Sequence, residues 1–403
     1  MPAKSQRTDL STRRDSGEDD VRPRLDWREA VARGLHQSGA LRILEAVSHY
    51  YEFAPGNSRR LPLLRRAKQS KFAILCYHRI GTGGIPLFSD FPPEIFEAEM
   101  RFLRSRYKVV SLDGLCEEME KPTRNEHAVA VTFDDGYRHL YTYALATLQK
   151  YQIPATIFLP VASIETGQVP WYDRIFLTLK VFPKDVLEIV LERPRRFRLT
   201  TRLVRLNVAT EIIQYLRTLP DTLRKVHCEN LEKQVKLPSE DLRDRMLTWD
   251  QIRAMRSAGI TFGSHTMTHP VVSQLTGEQL ESELCESKRL LEQRIAGPAP
   301  HFAYPFGKPA DCGKAAAPVL ARSGYRSAAT TIEGTNAPGD SLYELRRIQV
   351  GGEESVSMFA FRLNRLFLSA GLENSATSYS ASPQSKDEDF LGSSRRQPRP
   401  NDA

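Results

Sequence analysis

Three short stretches of this chain gather side chains that can do acid–base or metal chemistry. Asp134 and Asp135 close the apolar run AVAVTF and are followed at once by Gly136. His265 and His269 stand four apart in GSHTMTHP, and FAYP (302–305) runs into Phe306, Gly307 and Lys308. A histidine pair at this spacing converges on one ion when the backbone makes a helical turn. Alone, such a pair is more often two polar residues of a turn, as a lone DDG is more often a solvated corner. Neighbouring carboxylates on a strand face opposite sides, but a turn at Gly136 can re-aim them. Asp135 would then bind a metal while Asp134 faces a water. Asp135, His265 and His269 offer one oxygen and two nitrogens. Three protein ligands with an open position is the pattern of a catalytic rather than a structural metal. Such an ion lowers the pKa of water and polarises a carbonyl.

The elements that must position these residues alternate in type. Eight apolar runs read as strands: 73–77, 109–112, 128–133, 155–160, 260–264, 302–305, 327–331 and 346–350. Helical patterns separate several of them. In Thr276 to Ile295, Leu280, Leu284, Leu291 and Ile295 share one side, and Thr276 with Gln279 matches a capping box. Thr248 and Gln251 open a second such helix, which Gly259 can close. Alternation of this kind predicts parallel strands in a distorted (β/α) barrel, an α/β fold whose catalytic groups sit at the carboxyl ends of strands. The three corners fall at such ends. Residues 175–247 break the rhythm and read as a helical insertion containing RPRRFRLTTRLVR (193–205), with six arginines and no acid. That run is expected to be a solvated face standing apart from the chemistry, or a peripheral contact with membrane headgroups or an anionic glycan.

The predicted organisation is a disordered tail at 1–25, a helical extension at 26–72, the barrel at 73–372 and a disordered tail at 373–403. The 403 residues are 40% hydrophobic and 26% charged, with a formal charge of +8, an ordinary globular composition. Five cysteines at long spacings, with no CxxC, argue against a disulfide framework or a cysteine zinc knuckle. The first residues lack the apolar core of a signal peptide, and no apolar run approaches the about 18 residues of a membrane span. A cytoplasmic location is expected, with contact at the inner membrane face as an option. No nucleic-acid partner is expected, and the oligomeric state is not legible.

VTFDDGY, GSHTMTHP and FAYPFG, in that order, resemble the motifs TFDDG, H-[ST]-x-x-H and R-x-P-[YF]-G of the NodB-like polysaccharide deacetylases, carbohydrate esterase family 4. LCYHRI, FEAEMRFLRSRYKVVSLDGL, MLTWDQIRAMRSAGITFGSH and GYRSAATT add to the resemblance, which spans residues 73 to 350 apart from the insertion. It implies hydrolysis of N-acetyl groups of a GlcNAc-containing polysaccharide, oligosaccharide or glycolipid with a divalent metal, Zn2+ first, with Co2+ or Ni2+ as alternatives. Carried over residue by residue, Asp135, His265 and His269 are the metal ligands and Asp134 is the general base. The Tyr137 backbone N–H is placed to help hold the oxyanion. Tyr304, Pro305 and Phe306, with Trp171 and Asp173 of VPWYDR, are candidates to line the substrate groove.

Two departures stand out. The arginine of the third motif, which orients the base in the family, falls at Ala303; Arg174 and Arg347 are the candidates to replace it. The late Leu-x-His that usually supplies the acid has no match near residues 327 to 350. His78 in LCYHRI takes that role here, since this stretch resembles the first strand of the poly-GlcNAc deacetylase branch. Its alternative is a structural histidine bonded to a loop carbonyl. Two other readings remain on the same fold: an amidohydrolase of small cyclic amides, and a carbohydrate-binding protein without turnover.

Overall fold

The computed structural model describes residues 70–81, 91–121, 127–235, 237 and 245–369. The expected tails and the expected helical extension up to residue 69 lie outside the described residues. Ten strands follow one another: β1 (Phe72–Tyr77), β2 (Lys108–Val109), β3 (Ala128–Phe133), β4 (Ala155–Leu159), β5 (Val186–Val190), β6 (Pro194–Arg198), β7 (Thr261–Ser264), β8 (His301–Ala303), β9 (Ser327–Glu333) and β10 (Leu345–Gln349).

Seven of them close a parallel barrel in the order β1-β3-β4-β7-β8-β9-β10, with β10 paired back to β1. The short β2 pairs only with the start of β3. Every residue of β1, β3 and β4 is buried. This is why these strands read as continuous apolar runs: helices cover their outer faces and the barrel closes over their inner ones. Helix Pro93–Arg106 starts with proline in its first turn and buries Phe96, Met100 and Leu103 on one stripe. Both expected capping boxes, at Thr248 and Thr276, are present.

Strand register decides which residues face inward. Cys76 pairs with Thr132 and with Gln349, Thr132 with Thr156, Phe158 with Gly263, and Ala303 with Ala329. Paired residues of parallel strands point to the same side, and sides alternate along each strand. The inward set therefore includes Ile74 and Cys76, Ala130 and Thr132, Phe158, Gly263, Ala303, Ala329, Leu345 and Arg347. Most of these form one apolar cluster, closed by Leu112, Leu115 and Met119 of helix Leu112–Glu120. Of the inward set, Cys76, Ala130, Thr132, Gly263, Ala303 and Ala329 are small. At Gly263 even a Cβ would meet the His301 carbonyl oxygen at 2.6 Å and the Phe158 ring at 2.7 Å, so glycine is required. Arg347, fully buried, lies in this interior with its guanidinium 5.7 Å from the centre of the Phe158 ring.

Between β4 and β7 the chain leaves the barrel. Helix Trp171–Val181 is followed by the antiparallel hairpin β5–β6, then by helices Arg202–Leu216 and Asp221–Glu232. The hairpin is a non-helical element within a segment read as mostly helical. Leu187 and Phe197 pair across it and are buried together, a period-two pattern that the surrounding arginines obscure. No helix among the described residues is long and apolar enough to cross a membrane.

Candidate active site

All barrel strands run the same way, so their carboxyl ends share one rim, and the three motifs meet there. β3 ends at Phe133. Asp135 (φ 72°) and Gly136 (φ 68°) then both take left-handed backbone, which turns the Asp135 side chain away from the direction of Asp134. Six described non-glycine residues have positive φ, and four of them, Asp135, Thr266, His269 and Phe306, belong to the three motifs. Strain of this kind persists only where surrounding structure over-determines it, and it clusters at functional sites.

One ligand atom each from Asp135, His265 and His269 lies within 4.8 Å of the others. His269 Nε2 is 3.3 Å and His265 Nε2 3.7 Å from Asp135 Oδ1. The tautomer of His265 follows from its other nitrogen, which sits 2.7 Å from the Ala303 carbonyl oxygen. A carbonyl can only accept, so Nδ1 carries the hydrogen and Nε2 presents its lone pair to the cluster. Burial pushes the His265 imidazole down to about 4, against the pull of Asp134, so the ring is neutral at pH 7. His269 is held between aromatic rings, 4.8 Å from Tyr172 and 5.1 Å from Phe306 between ring centres. Its carbonyl accepts the indole N–H of Trp171 at 2.9 Å.

These residues fit a divalent cation. Asp135 Oδ1 is fully buried without a hydrogen-bond partner, and the two imidazoles face it without hydrogen-bond geometry. A buried carboxylate oxygen left in this way is costly unless a cation faces it. One oxygen with two imidazole nitrogens suits Zn2+, and also Co2+ or Ni2+.

Asp134 has a different partner. Arg347 places Nη1 on Oδ1 and Nη2 on Oδ2, both at 2.7 Å, a planar two-bond pair buried inside the barrel. Its Nε donates to the Thr330 carbonyl at 2.7 Å. Burial, the largest single influence, would raise the Asp134 carboxyl, but the Arg347 guanidinium, together with His265 and His78 beside it, holds the group well below the ordinary carboxylate range. Arg347 thus reaches from β10 into the interior that Ala303 leaves open. Arg174 lies elsewhere, paired with Glu232 and bonded to Gln168.

His78 follows the end of β1. It shares the inward parity of Cys76, and one of its ring nitrogens lies within 4.8 Å of an Asp134 oxygen and of Cys76 Sγ. Cys76, His78 and Asp134 thus form a second potential ligand set, but Arg347 already occupies both Asp134 oxygens and burial pushes the Cys76 thiol up. A neutral thiol beside a guanidinium is a poor cation site.

The groove candidates divide. Phe306 lies beside His269, but Tyr304 points the other way. It is offset by one residue from inward-facing Ala303, packs with Phe302 and Tyr325, and donates to the Tyr343 carbonyl. Pro305 is buried at the corner. Trp171 and Asp173 are 7% and 0% exposed, so most of each side chain is packed inside the protein. Most of their helix is buried, and its first turn packs against His269. Burial pushes the Asp173 carboxyl up to about 8 while the Tyr137 hydroxyl bonds it at 2.6 Å. The Tyr137 ring is buried as well.

The insertion does not stand apart from the site. Arg217, just past helix Arg202–Leu216, lies 4.2 Å above the Phe306 ring and pairs with Asp311 at 2.9 Å. The arginine run itself is turned outward or paired, with Arg195 on Glu211 and Arg196 near Glu188. Sequence reasoning missed Arg217, Tyr172 and Cys76. Of these only Cys76 carried a signal, its two-residue spacing from His78 at the end of the first strand.

The chain is thus a (β/α) barrel with an Asp-His-His cluster and an arginine-held carboxylate at the carboxyl ends of its strands. Residues 121–328 match the profile of the polysaccharide deacetylase family, and the chain belongs to that family. The matched span holds Asp134, Asp135, His265 and His269; His78 and Arg347 lie outside it. YxkH of Bacillus subtilis (strain 168), which carries a polysaccharide deacetylase name, is 24% identical over 300 residues, 73% of this chain and 77% of that one. Among solved structures, the Streptococcus pyogenes deacetylase PplD in complex with acetate is 19% identical with a TM-score of 0.49, covering 72% of this chain and 97% of its own. IcaB from Ammonifex degensii is 18% identical with a TM-score of 0.48, covering 72% and 96%.

Proposed function

We propose that this protein is a metal-dependent N-deacetylase of a GlcNAc-containing polysaccharide, oligosaccharide or glycolipid. The observation that carries this reading is the junction of two differently held carboxylates. Asp135 faces two imidazoles, while Asp134, next in the chain, is locked by Arg347 with His78 beside it. A divalent cation held by Asp135, His265 and His269 would polarise the acetyl carbonyl and lower the pKa of a water, so that the water attacks as it gives up its proton. Asp134 accepts the proton of the attacking water. Its depressed pKa makes it a weak base, but one ionised throughout the neutral range and aimed by two fixed bonds. His78 gives a proton to the nitrogen as the C–N bond breaks, since an amine leaves only when protonated. A carbohydrate-binding protein without turnover has no use for a buried carboxylate–guanidinium pair beside its metal, which favours the enzyme.

The test is acetate release from GlcNAc oligomers, lipid-linked sugars and peptidoglycan, before and after chelation. Release should cease with chelator and return with Zn2+ or Co2+. Saccharide binding without acetate from any metal-loaded sample would reject the enzyme reading, and turnover confined to cyclic amides would reject the sugar.

His78→Ala is expected to lower kcat by about 10²-fold and to remove one limb of the pH–rate profile. Zn2+ affinity should stay unchanged. An unaltered pH profile in that variant would give the acid role to another group.

A further inference from the structure

The segment from His265 to His269 is irregular backbone, with Thr266 at φ 67° and His269 at φ 59°. A loop of this kind keeps its shape only if its amides and carbonyls are held from outside. On one side the backbone N–H groups of Val161 and Ala162 donate to the carbonyls of Thr266 and Met267, at 3.1 and 2.9 Å. On the other side the partner is Glu283. The Met267 and Thr268 amides both donate to Oε2 at 2.8 Å, and the Thr268 hydroxyl donates to Oε1 at 2.6 Å.

Glu283 is 6% exposed and sits in the π-helical turn Ser282–Glu286, between helical segments Gly277–Glu281 and Ser287–Ile295. Such turns re-aim side chains within a helix and recur at functional sites. This one is pinned on both flanks: the Leu284 carbonyl accepts the Tyr325 hydroxyl, and Ser287 bonds Ser264 just before the loop. We infer that Glu283 is a positioning residue whose two carboxyl oxygens hold the histidine loop in its metal-binding shape. The inference rests on the reading of Asp135, His265 and His269 as the cation site. Without Glu283 two loop amides lose their acceptor, and the left-handed residues that aim His269 lose their restraint.

The experiment measures Zn2+ affinity of the full chain by chelator competition, together with the visible absorption spectrum of the Co2+-loaded protein. Glu283→Ala should bind Zn2+ about 10–100-fold more weakly, the usual effect of removing an outer-shell partner, and should shift the Co2+ bands. Glu283→Gln should restore most of the affinity, because its amide oxygen accepts the two N–H groups and its NH2 donates to the Thr268 hydroxyl. A folded Glu283→Ala protein with wild-type Zn2+ affinity and Co2+ spectrum overturns the inference. Should that variant fail to fold, Thr268→Val removes one of the three bonds and should show a smaller weakening; unchanged affinity there overturns the inference as well. His265→Ala separates the two readings, since Zn2+ retained at full affinity in it would overturn the cation site itself.

Discussion

Asp134→Asn is expected to fold, though less stably because Arg347 loses its counter-charge, and to keep its Zn2+ affinity while kcat falls by about 10²–10⁴-fold, the usual contribution of a general base. The amide matches the carboxylate in shape but cannot take the proton of the attacking water. Metal affinity separates this from damage to the site, because the Asp134 side chain bonds Arg347 rather than the three ligands, with His265 Nε2 4.0 Å from its Oδ2. Steady-state kinetics on a GlcNAc oligomer with metal-saturated protein is the measurement. Normal turnover would move the base to another residue.

Arg347→Met should have the largest effect on stability. It leaves the Asp134 carboxyl buried without its cation, and breaking one side of a buried pair typically costs about 3–5 kcal/mol. Denaturant unfolding of the two single variants and of the double variant Asp134→Asn, Arg347→Met measures it. The double variant should regain part of the loss, because no charge is then left unpaired.

The pH dependence has a definite sign. In the native protein Asp134 titrates below its unfolded value of about 3.9. Its pairing therefore adds stability that is fully present above that pH and is lost as pH falls through the folded value. Without Arg347 burial dominates and the carboxyl titrates higher, so the acid limb of activity should move to higher pH. Arg347→Lys should not rescue it, because an ammonium cannot make two coplanar bonds. Wild-type stability and an unmoved acid limb in Arg347→Met would remove Arg347 from the base.

Much of this was legible in the chain before folding. The parallel strands were visible as apolar runs because burial on both faces leaves no polar alternation to confuse them. The Asp134–Asp135 turn and the histidine pair were visible because their spacing is local, and a single turn of backbone brings each set together. The two adjacent arginines of LRRIQ could also have been parsed: on a strand one must face out and the other in. Which residue faces the barrel axis depended on register between strands far apart in sequence. Register is also why Tyr304 points away from the groove while Ala303 lines the interior. That Arg347 rather than Arg174 meets Asp134 was decided by the space that Ala303 and Gly263 leave beside Phe158. That the Trp171 indole bonds the His269 carbonyl was decided by how the insertion packs, a non-local matter on which its own sequence is silent. The sequence by itself determined the strand-and-helix alternation and the chemistry of each motif. The tertiary structure alone decided the partners of those motifs, because closing the barrel couples residues 134 and 347, which no local pattern relates.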